Sequence, residues 1–498
     1  MTLIDDYLEM HQEYQKQYGK IALLMQVGMF YEYYGVDNDK EKLGNVAEVS
    51  STLNIQMTRK NKNITENNRH NPLMIGVNIY SIDKYIQILL NANYTIVLIS
   101  QTSEPPYVKR EVTNIYSPGT NIEYSIKGDT NNLVGIYIEE INNQKTNKNI
   151  LFIGASSIDL STGTNIVFET HSTIDDKNFA LDELFRFIQI YDPKELLFIN
   201  KNVSISNDKL SNYLELNNRI VHYKDAKDID KQYFSLSYQK QFFEKIFTNY
   251  GLLSVIEYLD LEQKTFGLLS YVFLLDFAYE HNANIIQKIN KPNIWNSETQ
   301  LCLASNTINQ LNLVDHHLQN VNTKYSSLFA VINNTSTNIG KRLLRDTLLN
   351  PIINHSEIER RYNIIDSLIK DSNYKQYETY LNKISDLERL HRKLSLDLLQ
   401  PADFSSLDIS YDNVKELLRI TNSIDCDITH SLKPSINDIT KFNEFIDEYS
   451  KDFDLQEIVK YHIDKISTSF FKRGVYEDID NLQDKINNYK KIFEIFID

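Results

Sequence analysis

The hydrophobic period of this chain changes once, near residue 236, and that change limits what it can fold into. Between residues 20 and 235, the β-rich runs "IALLMQVGMFYEYYG", "YTIVLIS", "NLVGIYIEEI", "NILFIGASSIDLSTGTNIVFET" and "KELLFIN" alternate with helical stretches. One of these, "SIDKYIQILLNAN", has apolar residues at 82, 85, 86, 89 and 90 on a single helical face. "SPGT" and "DLSTG" mark turns. Beyond 236 the pattern is helical. "NIGKRLLRDTLLN" stops before Pro351, "SEIERRYNIIDSLIK" opens on Ser356 and Glu359 as a capping box, and "ISDLERLHRKLSLDLLQ" stops before Pro401. The expected fold class is multi-domain: two mixed α/β modules, the second with a mainly parallel sheet, and then an all-α region. A length of 498 residues suits about three domains of roughly 100–200 residues each.

Net charge is −15, which argues against a broad surface for nucleic acid. Residues 1–125 hold 11 Lys and Arg against 14 Asp and Glu, and 11 − 14 = −3. Within them "MTRKNKNITENNRH", 57–70, sets Arg59, Lys60, Lys62 and Arg69 against Glu66, a local +3 that reads as a solvated loop or as a binding patch. Cys302 and Cys426 are too few and too far apart for a disulfide framework or a zinc knuckle. "DHH" at 315–317 has no further ligands nearby, and successive residues do not share a helix face, so no metal site is expected. No stretch approaches 18 uninterrupted apolar residues, and "MTLIDDYLEM" has acids where a signal peptide has bases. These features predict an intracellular, soluble protein with no membrane partner. The abundance of Asn, Ile, Lys and Tyr suits the coding bias of a bacterium, an organelle or a large DNA virus, without choosing among them.

"MFYEYYG", 29–35, surrounds one carboxylate with four aromatic rings. In a strand, alternation puts Phe30 and Glu32 on one face and Tyr31 and Tyr33 on the other. Alone, such a run reads as an aromatic core strand.

In order along the chain, "MQVGMFYEYYG", "MTRKN", "PLMIGVNIYSIDKY", "IYSPGT", "IGASSIDLSTG" and "GKRLLRDTLLNPIINHSEIERRYNIIDSLI" resemble the N-terminal and middle parts of the MutS family of DNA mismatch-recognition proteins. "DLERLHRKLSLDLLQPADFSSL" resembles the core stretch that follows in that family. The resemblance covers nearly the whole chain. It implies a mismatch-recognition domain over 1–125, a connector over 126–235, a helical core and lever over 236–478, and the start of an arm toward a DNA clamp over 479–498.

It also implies a partner, duplex DNA with mismatches, and roles for particular residues. Phe30 takes the family's position for a wedge beside a mispaired base, and Glu32 the position that hydrogen-bonds that base. An apolar wedge in the minor groove unstacks a base step at least cost where pairing is already defective. A carboxylate facing phosphates is repelled, and unpaired it penalises intact duplex. Arg59, Lys60 and Arg110 take positions for DNA-backbone contacts, which set register without reading sequence. Glu111 and Asn114 stand where many members have Lys and Arg, so non-specific binding is expected to be weaker than is typical or to be supplied by other parts of the assembly.

The family's ATPase has no counterpart in the sequence. A phosphate loop needs Gly, four residues, then Gly-Lys-Ser/Thr. "TSTNIGKR" offers only Gly340-Lys341, with Arg342 following and Thr335 at the first-glycine position. No cofactor is therefore expected in this chain, while the resemblance implies ATP and Mg²⁺ for a complete protein. "YEDIDNLQDKINNYKKIFEIFID" resembles the outgoing arm of the lever. The expected function is mismatch recognition as the N-terminal part of a MutS-type ATPase, with a clamp and ATPase segment or chain as partner and a dimer when complete. The alternative is a noncatalytic relative that acts as a scaffold or binds branched DNA. No nucleophile–base cluster points to an ordinary metabolic enzyme.

Overall fold

The computed structural model describes residues 3–103, 106–122, 130–144, 148–217, 219–295, 300–301, 303, 307–315, 324–370, 374–423, 434–458 and 468–497. The chain divides into two compact units, chiefly Met1–Ile126 with Thr130–Asn296, and Ile308–Asp498.

The first unit holds two sheets. The first sheet comprises β1 (Ile21–Val27), β2 (Phe30–Asp37), β3 (Lys42–Leu43), β4 (Thr58–Arg59), β5 (Leu73–Asn78), β6 (Thr95–Gln101) and β7 (Arg110–Tyr116). Its order is β4-β5-β2-β1-β6-β7, with β3 paired to β2 off that path. Gly28, at φ +60°, supplies the left-handed turn between β1 and β2. Tyr31 and Tyr33 point into a core with Leu24, Ile75, Val77 and Ile96, closed by Val49 from the helix Val46–Leu53 and by Ile86 and Leu89 from the helix Ile82–Asn91. The helical face read from the sequence is the buried one.

The helix Leu3–Tyr18 brings His11 to this core, where it is 1% exposed and its Nε2 lies 2.9 Å from Tyr33 Oη. Burial pulls its pKa down to about 4. An unfolded His titrates near 6.5, so the folded state loses stability as pH falls from about 6.5 toward 4, by on the order of 3 kcal/mol. Thermal unfolding between pH 7 and 4.5 should show this loss, and His11→Gln should reduce the slope. Equal slopes in both proteins would remove His11 as the source.

The second sheet comprises β8 (Asn132–Asn143), β9 (Lys148–Asp159), β10 (Thr164–His171), β11 (Glu195–Lys201), β12 (Ile220–Asp225) and β13 (Asn293–Ile294), in the order β12-β11-β8-β9-β10-β13. The β12–β11, β11–β8 and β10–β13 pairings are parallel, while the long β8–β9 and β9–β10 pairings are antiparallel. The sheet is therefore mixed where a mainly parallel one was expected, because β8, β9 and β10 follow one another as a meander without helical crossovers.

The helix Thr265–His281 is buried along most of its length and packs on this sheet so closely that Gly154 and Gly135 are needed beneath it. By their contacts residues 236–295 group with the first unit. The cause is that helix, apolar on every side, which must be enclosed rather than laid on a surface. The expected boundary at 126 falls among residues outside those described.

Glu195 joins the two sheets. Fully buried on β11, it accepts from Ser117 Oγ at 2.5 Å and from Gly119 N at 3.0 Å, in the segment that follows β7, and lies 2.7 Å from His222 Nε2. Burial alone would raise its pKa. The hydrogen bond and charge of His222, the charge of His281 and the Ser117 hydroxyl outweigh that and hold it below the usual carboxylate range.

The second unit is helical in its described residues. Leu390, Leu407, Tyr411, Ile446 and Tyr449 form its core. The helix Asn338–Leu349 ends before Pro351 as its pattern predicts, and Arg342 within it pairs with Asp386 at 2.6 Å and Glu388 at 2.5 Å. The helix His355–Lys370 is capped two residues before the expected Ser356, since Asn354 Oδ1 accepts from Glu357 N at 3.2 Å and Ser356 Oγ donates to Asn354. Pro401 opens the helix Pro401–Ser423, where its fixed φ and missing N–H cost nothing. The helix Glu477–Ile497 leaves Leu482, Ile486, Tyr489, Ile492 and Phe493 exposed. Among the described residues no helix is long and apolar enough to cross a membrane, and no cluster of metal-binding side chains occurs. Cys302, Cys426, His316 and His317 lie outside the described residues.

Candidate nucleic-acid interface

The turn at Gly28 and Met29 sends β2 back antiparallel to β1, so Phe30 pairs with Val27 and Glu32 with Met25. On the other side Phe30 pairs with Asn78 and Glu32 with Gly76. Paired residues point to the same face of a sheet, so Phe30 and Glu32 share one face while Tyr31 and Tyr33 fill the core behind it. Phe30 is 47% exposed, like Met29 before it at 48%, while Tyr31 after it is buried.

Met29 O accepts from Ile79 N at 3.1 Å, which brings the turn Ile79–Ser81, and Tyr80 at 83% exposure, to the same end of the sheet. A Cβ on residue 76 would lie 3.8 Å from Glu32 Cγ and 4.0 Å from Phe30 Cδ1, so Gly76 borders both side chains.

Polar groups brace this end. Arg110 Nε donates to Gln26 O at 2.9 Å, Gln26 Oε1 accepts from Gln101 N at 2.9 Å, and Gln26 Nε2 donates to Gly28 O at 3.2 Å. Tyr34 Oη donates to Glu32 Oε2. Burial, then the hydrogen bond and charge of Glu32, raise the pKa of the Tyr34 hydroxyl and keep it a donor.

Of the residues singled out in the sequence, Phe30, Glu32 and Arg110 meet at this end. Arg59 does not. On β4 it pairs with Leu73, which pairs in turn with Gly35, and this register puts it on the face of Tyr31 and Tyr33. Its Nε is buried without a hydrogen-bond partner. Lys60, next along the chain, is exposed. The local +3 is smaller than its count, because Arg69 is engaged by Glu41 at 2.9 Å and by Asp5 at 3.7 Å.

Gln26, Tyr34, Tyr80 and Gln101 were missed in the sequence. For Tyr34 a signal existed, since 30, 32 and 34 share strand parity. The other three depend on strand neighbours that a single sequence does not reveal.

Elsewhere, Gly340-Lys341 is no phosphate cradle. It lies in the first turn of the helix Asn338–Leu349, where Gly340 N donates to the capping Thr337 Oγ1 at 3.0 Å. The residues present do not fit a nucleotide there.

At a braced sheet end, an exposed apolar ring can enter a weakened base stack, and the carboxylate beside it can accept a hydrogen bond from a displaced base. Residues 3–125, which hold this end, match the model of MutS domain I, and residues 306–495 match that of MutS domain III. A putative DNA mismatch repair protein, a mutS homolog of Acanthamoeba polyphaga mimivirus, is 33% identical over 518 residues, covering 99% of this chain and 46% of that protein. DNA mismatch repair protein MutS of Caldanaerobacter subterraneus subsp. tengcongensis is 26% identical over 96% of this chain and 50% of its own length. That of Petrotoga mobilis is 25% identical over 98% and 52%. The chain thus spans about half the length of the relatives it matches. With one domain model on the sheet that presents Phe30, another on the helical unit, and relatives aligned along nearly all of its length, the chain belongs to the MutS family of DNA mismatch repair proteins.

Proposed function

We propose that this chain binds mispaired duplex DNA at the open end of its first sheet, with Phe30 as the wedge and Glu32 as the contact to the displaced base. The observation that carries the reading is the exposed Phe30 ring beside Glu32, within the part that matches MutS domain I. Partial unstacking costs a few kcal/mol at an intact step and less where pairing is defective, so a wedge on a rigid strand discriminates by deformability. Lys60, Arg59 and Arg110 are assigned to phosphate contacts, Arg110 while also bracing Gln26. No residue of the chain is assigned to ATP or Mg²⁺.

Competition titration of mismatched against matched duplex at stated salt tests the proposal, with a four-way junction as third competitor. Preference for the mismatch supports it. Equal affinity for both duplexes, or preference for the junction, overturns it in favour of a branched-DNA binder.

The basic residues should behave in a different way from the wedge. Arg59→Ala with Lys60→Ala should weaken binding to every duplex alike and flatten the salt dependence by roughly 0.9 for each phosphate that is no longer neutralised. An unchanged slope would place β4 and the loop after it away from DNA.

A further inference from the structure

The Tyr34 hydroxyl is buried, and Glu32 Oε2 is the acceptor it meets. The ring cannot turn easily to find another. Tyr7 stands edge-on to it, with centroids 5.1 Å apart and planes at 84°, and Tyr7 is itself tied by its hydroxyl to Leu23 O at 2.6 Å. One oxygen of Glu32 is thus occupied by a fixed donor. The other carboxylate oxygen is the one left for an incoming base, on a side chain that borders Gly76 and shares its sheet face with Phe30. An oxygen of a carboxylate whose partner oxygen already takes a hydrogen bond from a hydroxyl is set up to accept.

We propose that Tyr34 is a positioning residue that presents Glu32 as a hydrogen-bond acceptor, so that the site prefers mispaired bases offering an N–H donor, such as the imino group of thymine or guanine. The inference rests on the reading of Phe30 and Glu32 given above and adds to it a class of base. Tyr34 itself touches no DNA and acts through Glu32 alone.

The test uses two duplexes that differ at one unpaired position, one with thymine and one with difluorotoluene, which has the shape of thymine without its N–H. The full chain should bind the thymine duplex roughly ten- to a hundred-fold more tightly, the usual worth of a hydrogen bond to a charged group. Tyr34→Phe should bring the two affinities close together. In a Glu32→Ala background it should have no further effect, whereas a purely structural Tyr34 would add its full cost there.

If Tyr34→Phe proves too unstable to measure, Glu32→Gln takes its place. With the Tyr34 hydroxyl donating to the amide oxygen, the amide NH₂ faces the base, and the preference for thymine should vanish. A thymine preference kept in Tyr34→Phe, or kept in Glu32→Gln, overturns the inference. If Phe30→Ala and Glu32→Ala both leave mismatch preference intact, the site itself is wrong and this inference falls with it. If they abolish preference while Tyr34→Phe keeps the thymine ratio, only this inference falls.

Discussion

Phe30→Ala is expected to abolish the preference for mispaired over matched duplex and to leave weak binding of matched duplex in place. Stacking of an aromatic side chain on a base is worth about 1–3 kcal/mol by alanine substitution, so mismatch affinity should drop by roughly ten- to a hundred-fold. Matched duplex, held by phosphate contacts, gains nothing from the ring. Phe30 stands outside the core formed by its neighbours, so its removal should leave the unfolding midpoint nearly unchanged. Glu32→Ala should weaken mismatch binding less, and should raise affinity for matched duplex by removing a charge that phosphates repel. Paired titrations at one salt concentration read both changes. Equal weakening on both duplexes for Phe30→Ala would show a packing residue and not a wedge.

The largest drop in stability is expected from Gly154→Ala. A Cβ there would sit 1.9 Å from the carbonyl oxygen of Phe266 and 2.1 Å from its carbon, both backbone atoms of the helix Thr265–His281. No rotamer relieves such a clash, so the helix or the strand must move. Overpacking of a core costs typically about 1–3 kcal/mol and occasionally more, and this site belongs at or above the top of that range. Denaturant unfolding monitored by fluorescence of Trp295 would measure it. Gly76→Ala is the control, since its Cβ would make only ordinary contacts and should leave the midpoint close to that of the parent chain.

The features visible in the sequence were those set by local period. The shared face of Phe30 and Glu32 follows from strand alternation, and the helix before Pro351 from its apolar spacing and its stop. What was hidden depended on neighbours distant in sequence. The helix Thr265–His281 shows no amphipathic period because it is buried all round, so nothing local told that it belongs with β8 and β9. The side on which Arg59 falls is set by the register of a two-residue edge strand. Arg110 reads as a free cation until β1 is placed beside β6 and Gln26 O comes within reach of its guanidinium. The cap of the helix at 355 passed to Asn354 because its side chain takes the amide of Glu357 and receives the Ser356 hydroxyl, which leaves Ser356 inside the helix.

The grip of Glu195 on Ser117 and Gly119 has a mechanical consequence. The N-terminal helix meets the same spot, for Tyr18 packs edge-on against His222 and His281 at centroid distances of 6.1 and 5.1 Å. Two separate stretches of chain, one before β1 and one after β7, are thereby anchored to a single patch of the second sheet. A joint fixed at two points transmits torque, whereas a single tether would swivel. Rotation of the first sheet should therefore carry the second sheet with it.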